Sequence, residues 1–289
     1  MHLKPVTAIS GYTREQFTTA YLEPGIPVLI KDFIEPDSVA LQKWNYDYFR
    51  QEAGAVMVGV HSEENAHLDK ATSQPGEKMK FGDYLDLIES RPTVRRLFLF
   101  NLLRERPDIK KELKVRKIAD NLLTWLPFLF FGGEGSSVRY HYDIDMSHVF
   151  LSQFQGVKKV WLFPNEQSDL LYRLPWNFHG IADLRNPDYE AFPALRQLSG
   201  WECTLHFGET LYIPSGYWHY IQYETAGYSV AYRALPVSML KRAVGVRNIF
   251  ITRRFDDAMR RILGKKWFDY KMKTAYRRAA RAVERGNSR

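Results

Sequence analysis

The chain has 289 residues, 45% hydrophobic and 15% aromatic, enough to bury one large domain with an appendage. A single cysteine, Cys203, excludes an internal disulfide and a thiolate metal cluster, so any metal falls to His and carboxylate, and a reducing, cytoplasmic setting is expected. The net charge of +8 is uneven: residues 241–289 hold 16 Lys/Arg against four acidic residues, or +12, leaving −4 for residues 1–240.

The start, Met1-His2-Leu3-Lys4-Pro5, has no apolar signal core. The greasiest stretch, Leu122 to Phe131, is about half of the ~20 residues that a membrane span needs, so no membrane insertion is expected. Thr13 followed by Gln16 predicts a helix start, with the helix running from Arg14 to Leu22 and closed by Pro24-Gly25. A short strand at Pro27–Ile30 follows, then a helix around Ser38–Glu52 and a strand around Ala55–Val60. Residues 61–78 are polar and read as loop. Helical spacing returns over Phe81–Ile88, and Arg95–Asn101 reads as strand. Residues 1–125 are therefore a mixed α/β portion.

From Leu126 the pattern changes to short apolar or alternating runs broken by turn residues. These are Phe128–Phe131, Val138–Asp143, His148–Phe154, Lys158–Phe163, Trp201–His206, Thr210–Pro214, Tyr217–Glu224 and Tyr228–Ala234. Many short strands at close spacing predict a sandwich or barrel over 126–235. The stretch from Asn165 to Gly200, rich in Asn, Asp, Pro and Tyr, interrupts them as a candidate substrate-facing insertion. Pro236 marks a boundary, after which Ser238 can cap a helix. Phe255, Met259, Ile262 and Leu263, ended by Gly264, form one apolar stripe, and Phe268, Met272, Tyr276, Ala279 and Val283 form another. Residues 236–289 are thus a basic helical region.

Chemistry concentrates in His141-Tyr142-Asp143 and in His219. Residues two apart on a strand face the same way, so an H-x-D there turns an imidazole and a carboxylate toward one cavity. Two His and one carboxylate leave open positions on a metal for a co-substrate and O₂. The tripeptide alone is weak, because most strand histidines are satisfied core or surface residues. The ordered motifs around it carry more. They are Phe131-Gly132-Gly133-Glu134-Gly135, Gln155-Gly156-Val157-Lys158-Lys159, Asn186-Pro187-Asp188-Tyr189-Glu190-Ala191-Phe192-Pro193 and Leu211-Tyr212-Ile213-Pro214-Ser215-Gly216-Tyr217-Trp218-His219.

On these motifs the chain resembles the cupin-like branch of the JmjC oxygenases over about Phe17 to Leu235, a branch that includes a protein asparaginyl hydroxylase and a transfer-RNA base hydroxylase. The resemblance implies a mainly β protein with flanking helices, built on a double-stranded β-helix (jelly roll). It implies Fe(II) on His141, Asp143 and His219, with 2-oxoglutarate as co-substrate. Lys158 is the residue matching the family's carboxylate-binding lysine, and alternation turns Lys159 next door outward. The expected enzyme is a 2-oxoglutarate-dependent dioxygenase, a hydroxylase of a macromolecule.

Where relatives use a tyrosine and a threonine on the co-substrate this chain has Phe98 and Val138, and where they use two asparagines it has His148 and Arg233. Arg233 would replace the lost hydroxyl contacts by binding a carboxylate bidentately, or else be a solvated strand-end arginine. His148 is a second co-substrate contact on this alignment, although the segment His141–Gly156 is two residues longer here. Asp145 could face the metal or be a solvated loop acid. The expected partner is a protein side chain. Three alternatives stay open: an RNA base bound with help from the basic helices, a metal-binding module without turnover, and a tail that docks on anionic surfaces. The C-terminal helices are also candidates for a homodimer contact. A cupin isomerase would need H-x-H and a separate Glu.

Overall fold

A computed structural model describes residues 1–62 and 74–287. Alternation dictates most of it. The eight runs between 128 and 234 become β7 (Phe128–Gly132), β8 (Ser137–His141), β9 (His148–Gln155), β10 (Lys158–Phe163), β11 (Ser199–Leu205), β12 (Thr210–Ile213), β13 (Trp218–Tyr223) and β14 (Gly227–Ala234). The N-terminal portion adds β1 (His2–Pro5), β2 (Thr7–Ile9), β3 (Val28–Ile30), β4 (Met57–Val60), β5 (Glu77–Lys80) and β6 (Arg96–Phe100). Two sheets face each other, one ordered β1-β11-β10-β13-β8 and the other β2-β3-β12-β9-β14-β7-β6. This is the jelly roll that the resemblance implies, in keeping with the sandwich or barrel that the strand spacing predicts. β1 and β2, too short to read from the sequence, lie at the two sheet edges and pair in parallel with β11 and β3.

The inner faces of the sheets meet in an aliphatic core, with Val149, Leu151, Leu211 and Ile213 from one and Val160, Leu162 and Leu205 from the other. Cys203 sits there too, where burial pushes its thiol up to about 12. Outside the larger sheet, Phe17, Phe33, Phe49 and Phe81 from the N-terminal portion pack on Phe150, Tyr212 and Tyr228, so the described part of that portion covers the barrel and does not stand apart from it. Each such buried side chain contributes roughly 1.5–3 kcal/mol. Outside the smaller sheet, the 165–200 insertion supplies Leu171, Tyr172, Phe178 and Leu195 against Tyr140 and Trp218.

The helices of the N-terminal portion follow local signals. Thr13 makes the expected capping box with Gln16 on α1 (Arg14–Phe17), although the chain continues as a π-helical turn over Thr18–Leu22. The single helix expected around 38–52 is two, α2 (Ala40–Lys43) and α3 (Tyr46–Ala53). Trp44 is extended between them and Asn45 caps the second by accepting from the Tyr48 amide at 2.8 Å. α4 (Phe81–Ser90) agrees with expectation, and α5 (Leu102–Glu105) and α6 (Pro107–Lys110) follow β6. The loop expected at 61–78 lies largely outside the described residues, and its last part is β5, paired with β4.

The tail is helical as expected: α7 (Met239–Arg247), capped by Ser238, a π-helical turn at Asn248–Thr252, α8 (Arg253–Leu263) and α9 (Lys265–Asn287). Ala279 and Val283 of α9 join the insertion's core. Between α8 and α9, Lys271 and Asp256 form a fully buried ion pair at 2.8 Å, and Trp267 Nε1 also donates to Asp256. No described helix is long and apolar enough to cross a membrane.

Candidate metal centre

β8 and β13 pair so that His141 stands opposite His219 and Val138 opposite Ile221. Three residues on β8 therefore span two on β13, a bulge. Without it, strict alternation would put Val138 and His141 on opposite faces, whereas both line the same inner cavity. β8 ends at His141, so Asp143 lies in the turn beyond and not on the strand, yet it too reaches that cavity. Just before His219, the turn at Ser215-Gly216 needs φ +77° at Gly216, where a side chain would also meet Met146.

The imidazoles of His141 and His219 are 4.2 Å apart between ring centroids. His141 Nδ1 is 2.9 Å from the Arg139 carbonyl and His219 Nδ1 is 3.2 Å from the Tyr217 carbonyl. A carbonyl only accepts, so each Nδ1 carries the hydrogen and each Nε2 keeps its lone pair for a ligand. Burial, then the charge of His219, pushes His141 down to about 3, and burial lowers His219 as well, so both are neutral at pH 7. Burial alone would raise Asp143, but the charge of Arg233 and then of His219 outweighs it and brings the carboxyl to about 2. Two neutral imidazoles and an ionised carboxylate are a donor set that suits a divalent transition metal. As they stand, no three His, Cys, Asp or Glu side chains among the described residues are placed to hold a metal ion together. Asp143, the third candidate donor, is tied to Arg233, whose Nη2 donates to Oδ1 at 2.9 Å.

Behind the imidazoles the inner cavity, about 60 Å³, runs between the sheets to Lys158. Lys158 is 1% exposed, whereas Lys159 faces Glu202 on the outside, as alternation predicts. The Lys158 ammonium donates to Ser229 Oγ and lies 4.3 Å from the Tyr223 ring centroid. Burial pushes it down to about 7. In front of the imidazoles a wider mouth of about 280 Å³ opens past Phe98 and Val138, which line both spaces. These two side chains make an apolar doorway between the two spaces.

Two expected co-substrate contacts are corrected. His148 faces away from the inner cavity: on β9 the inward residues are Val149 and Leu151, and His148 is buried on the opposite face. There its Nδ1 accepts from the Tyr212 hydroxyl at 2.8 Å and from the Ser215 amide at 3.1 Å. Arg233 does line both spaces and is not a solvated residue, but its guanidinium is already committed. Nη1 donates to Asp145 Oδ1 and Oδ2 at 2.7 and 2.6 Å while Nη2 holds Asp143. Asp145 is accordingly neither a metal donor here nor a free loop acid. The mouth also holds Arg139, Arg253, His61 and His179, which the sequence reading missed. Only His179 had a signal, its place in the 165–200 insertion.

A double-stranded β-helix with two imidazoles and a carboxylate lining one interior cavity, and a buried lysine on the same cavity, is a cupin-type barrel. The model of the cupin-like domain family matches residues 14–235, and the chain belongs to this cupin-like JmjC family. Enzymes of the JmjC family use Fe(II) and 2-oxoglutarate. The chain is 31% identical over 248 residues to Lysine-specific demethylase JMJ30 of Arabidopsis thaliana, covering 79% of this chain and 54% of that protein. It is 25% identical over 229 residues to Lysine-specific demethylase 8 of Xenopus tropicalis, covering 75% and 50%. To tRNA wybutosine-synthesizing protein 5 of Gallus gallus it is 23% identical over 242 residues, covering 77% and 74%. The chain thus spans about half the length of the two demethylases.

Proposed function

We propose that this chain is an Fe(II)- and 2-oxoglutarate-dependent dioxygenase that hydroxylates a macromolecule, with a protein side chain as the substrate. The carrying observation is one narrow cavity with the two neutral imidazoles at its mouth and a buried ammonium at its inner end. His141, Asp143 and His219 would hold the metal, which supplies the oxidising chemistry when bound. Lys158 would bind the far carboxylate of 2-oxoglutarate through a charge-assisted hydrogen bond. The apolar walls, including Phe98 and Val138, exclude water, so that contact is made in a dry space. The jelly roll with its N-terminal cover, residues 1–235, forms the catalytic unit in this reading, and residues 236–289 an added helical region. The lone thiol fits a cytoplasmic protein.

The test is anaerobic addition of Fe(II) with and without 2-oxoglutarate, followed in the visible. A charge-transfer band that needs both, and that is lost in Lys158→Ala, is the expected result. Bound iron without any band in the wild type would instead make the chain a metal-binding module without turnover.

A protein substrate draws support from relatives named lysine-specific demethylases. One observation favours a second reading. Arg253, at the start of α8, lines the mouth, so the basic C-terminal helices are continuous with the site and suit RNA phosphates. RNA binding that weakens steeply with salt and disappears in Arg253→Glu would support that reading, which a relative named for tRNA wybutosine synthesis also fits. Met239, Leu240, Phe250, Ile251 and Ile262 are each more than half exposed on the C-terminal helices, an apolar surface suited to a homodimer. Sedimentation that changes from dimer to monomer in Ile251→Glu is the expected result.

A further inference from the structure

The turn that carries Asp143 is held from three sides. Within it, the Met146 amide donates to the Asp143 carbonyl at 2.9 Å, and Met146 takes the left-handed conformation, φ +57°, which is uncommon for a side chain of this size. From the barrel, Ser215 Oγ donates to the Met146 carbonyl at 2.5 Å. Arg233 spans the turn, with one nitrogen on Asp143 and the other on both oxygens of Asp145 and on Ser147 Oγ at 3.0 Å. Ser147 also donates to Asp145 from its amide and its hydroxyl. From outside, the C-terminal helices close over the same turn. A Cβ on Gly245 of α7 would stand 2.4 Å from the Asp145 carbonyl oxygen, and the buried Asn248 donates to the Ile144 carbonyl at 3.2 Å.

We infer that Arg233 and the α7 contact at Gly245 and Asn248 are positioning elements for the metal carboxylate, so that the C-terminal helical region is a working part of the metal site. The inference rests on the metal reading above. Arg233 claims Oδ1 of Asp143 and leaves the other oxygen as a single donor. It also occupies both oxygens of Asp145, a carboxylate two residues away that would otherwise compete for the same ion. A guanidinium does both because its fork serves two carboxylates at fixed angles. The glycine at 245 lets the helix backbone come near enough to floor the turn, and the asparagine pins it. Outer partners of this kind typically control metal affinity by about 10- to 100-fold.

Co(II) alone is the probe, because its visible bands report both affinity and coordination. The wild type is expected to bind one equivalent. In Arg233→Gln the dissociation constant rises about 10- to 100-fold and the band pattern shifts as Asp145 enters the coordination sphere. Adding Asp145→Asn restores the wild-type pattern but not the affinity. Gly245→Ala weakens binding in the same direction, and if it fails to fold, Asn248→Ala, which only deletes a hydrogen bond, takes its place. Circular dichroism and thermal melting establish that each variant is folded. Folded Arg233→Gln and Asn248→Ala proteins that bind Co(II) with wild-type affinity and bands would overturn the inference while leaving the metal reading intact. A wild type that binds no Co(II) would remove the metal reading and this inference with it.

Discussion

Among the described residues two lysines are completely buried, and they are treated in opposite ways. Lys271, in the C-terminal helices, faces Asp256 at 2.8 Å. Lys158, in the barrel, meets a serine hydroxyl and the face of a tyrosine but no carboxylate among the described residues. A buried charge is costly unless paired, and burial alone depresses the Lys158 ammonium. The buried pair in the helical region meets its own charge. The barrel leaves a buried ammonium on a cavity with no anion beside it among the described residues, which is the ground for proposing Lys158 as the co-substrate's partner.

The comparison breaks first on stability. Lys271→Met leaves Asp256 buried without a counter-ion and is expected to cost about 3–5 kcal/mol in urea unfolding. A loss under about 1 kcal/mol would show that water reaches Asp256 and that the contrast is false. Lys158→Met, by contrast, is expected to keep or raise stability while weakening 2-oxoglutarate binding, measured by calorimetry, by about 1.5–3 kcal/mol, the worth of a charge-assisted hydrogen bond. Unchanged affinity would mean that the co-substrate carboxylate lies elsewhere.

Acidity sharpens the same point. Lys158 is held near 7 in the folded chain, against an ordinary value of 10.5. Between these values the unfolded state binds more protons, so stability rises with pH through that window and the deficit is complete below about 7. The ligand-free wild type should melt at a higher temperature at pH 9 than at pH 7, with the increment reduced in Lys158→Met; an identical increment would place the titration elsewhere. Replacing both members of the helical pair, Lys271→Met with Asp256→Leu, is expected to restore wild-type stability to within about 1 kcal/mol or exceed it. The smallest effect should come from Val138→Thr, which returns a hydroxyl to the doorway; a change in 2-oxoglutarate affinity beyond a few-fold would show that this wall touches the co-substrate.

The sequence carried what depends on local periodicity. Strands between 128 and 234 and the inward turn of Lys158 over Lys159 follow from alternation, whereas His141 and Asp143 share a cavity although the strand that alternation extends to Asp143 ends at His141. What it did not carry depends on register and on distant partners. The β8 bulge is invisible until β13 lies beside it. Matching motifs place His148 at a co-substrate position, but the segment His141–Gly156 is two residues longer here, and only the pairing of β9 decides which parity faces the cavity. Arg233 meets Asp143 across 90 positions, so nothing near either residue announces the contact. β1 and β2 are readable only as the sheet edges they complete.

Cys203 gives the barrel a clock. Its side chain points between the sheets, 7% exposed and with the thiol held near 12, so an alkylating reagent at neutral pH finds neither access nor thiolate in the closed chain. Modification must await separation of β11 from its neighbours, and its rate at low reagent concentration then reads out the population of opened barrels. Because the chain has no second cysteine, that signal carries no background, and the stiffening brought by any occupant of the cavity can be timed directly as slower labelling.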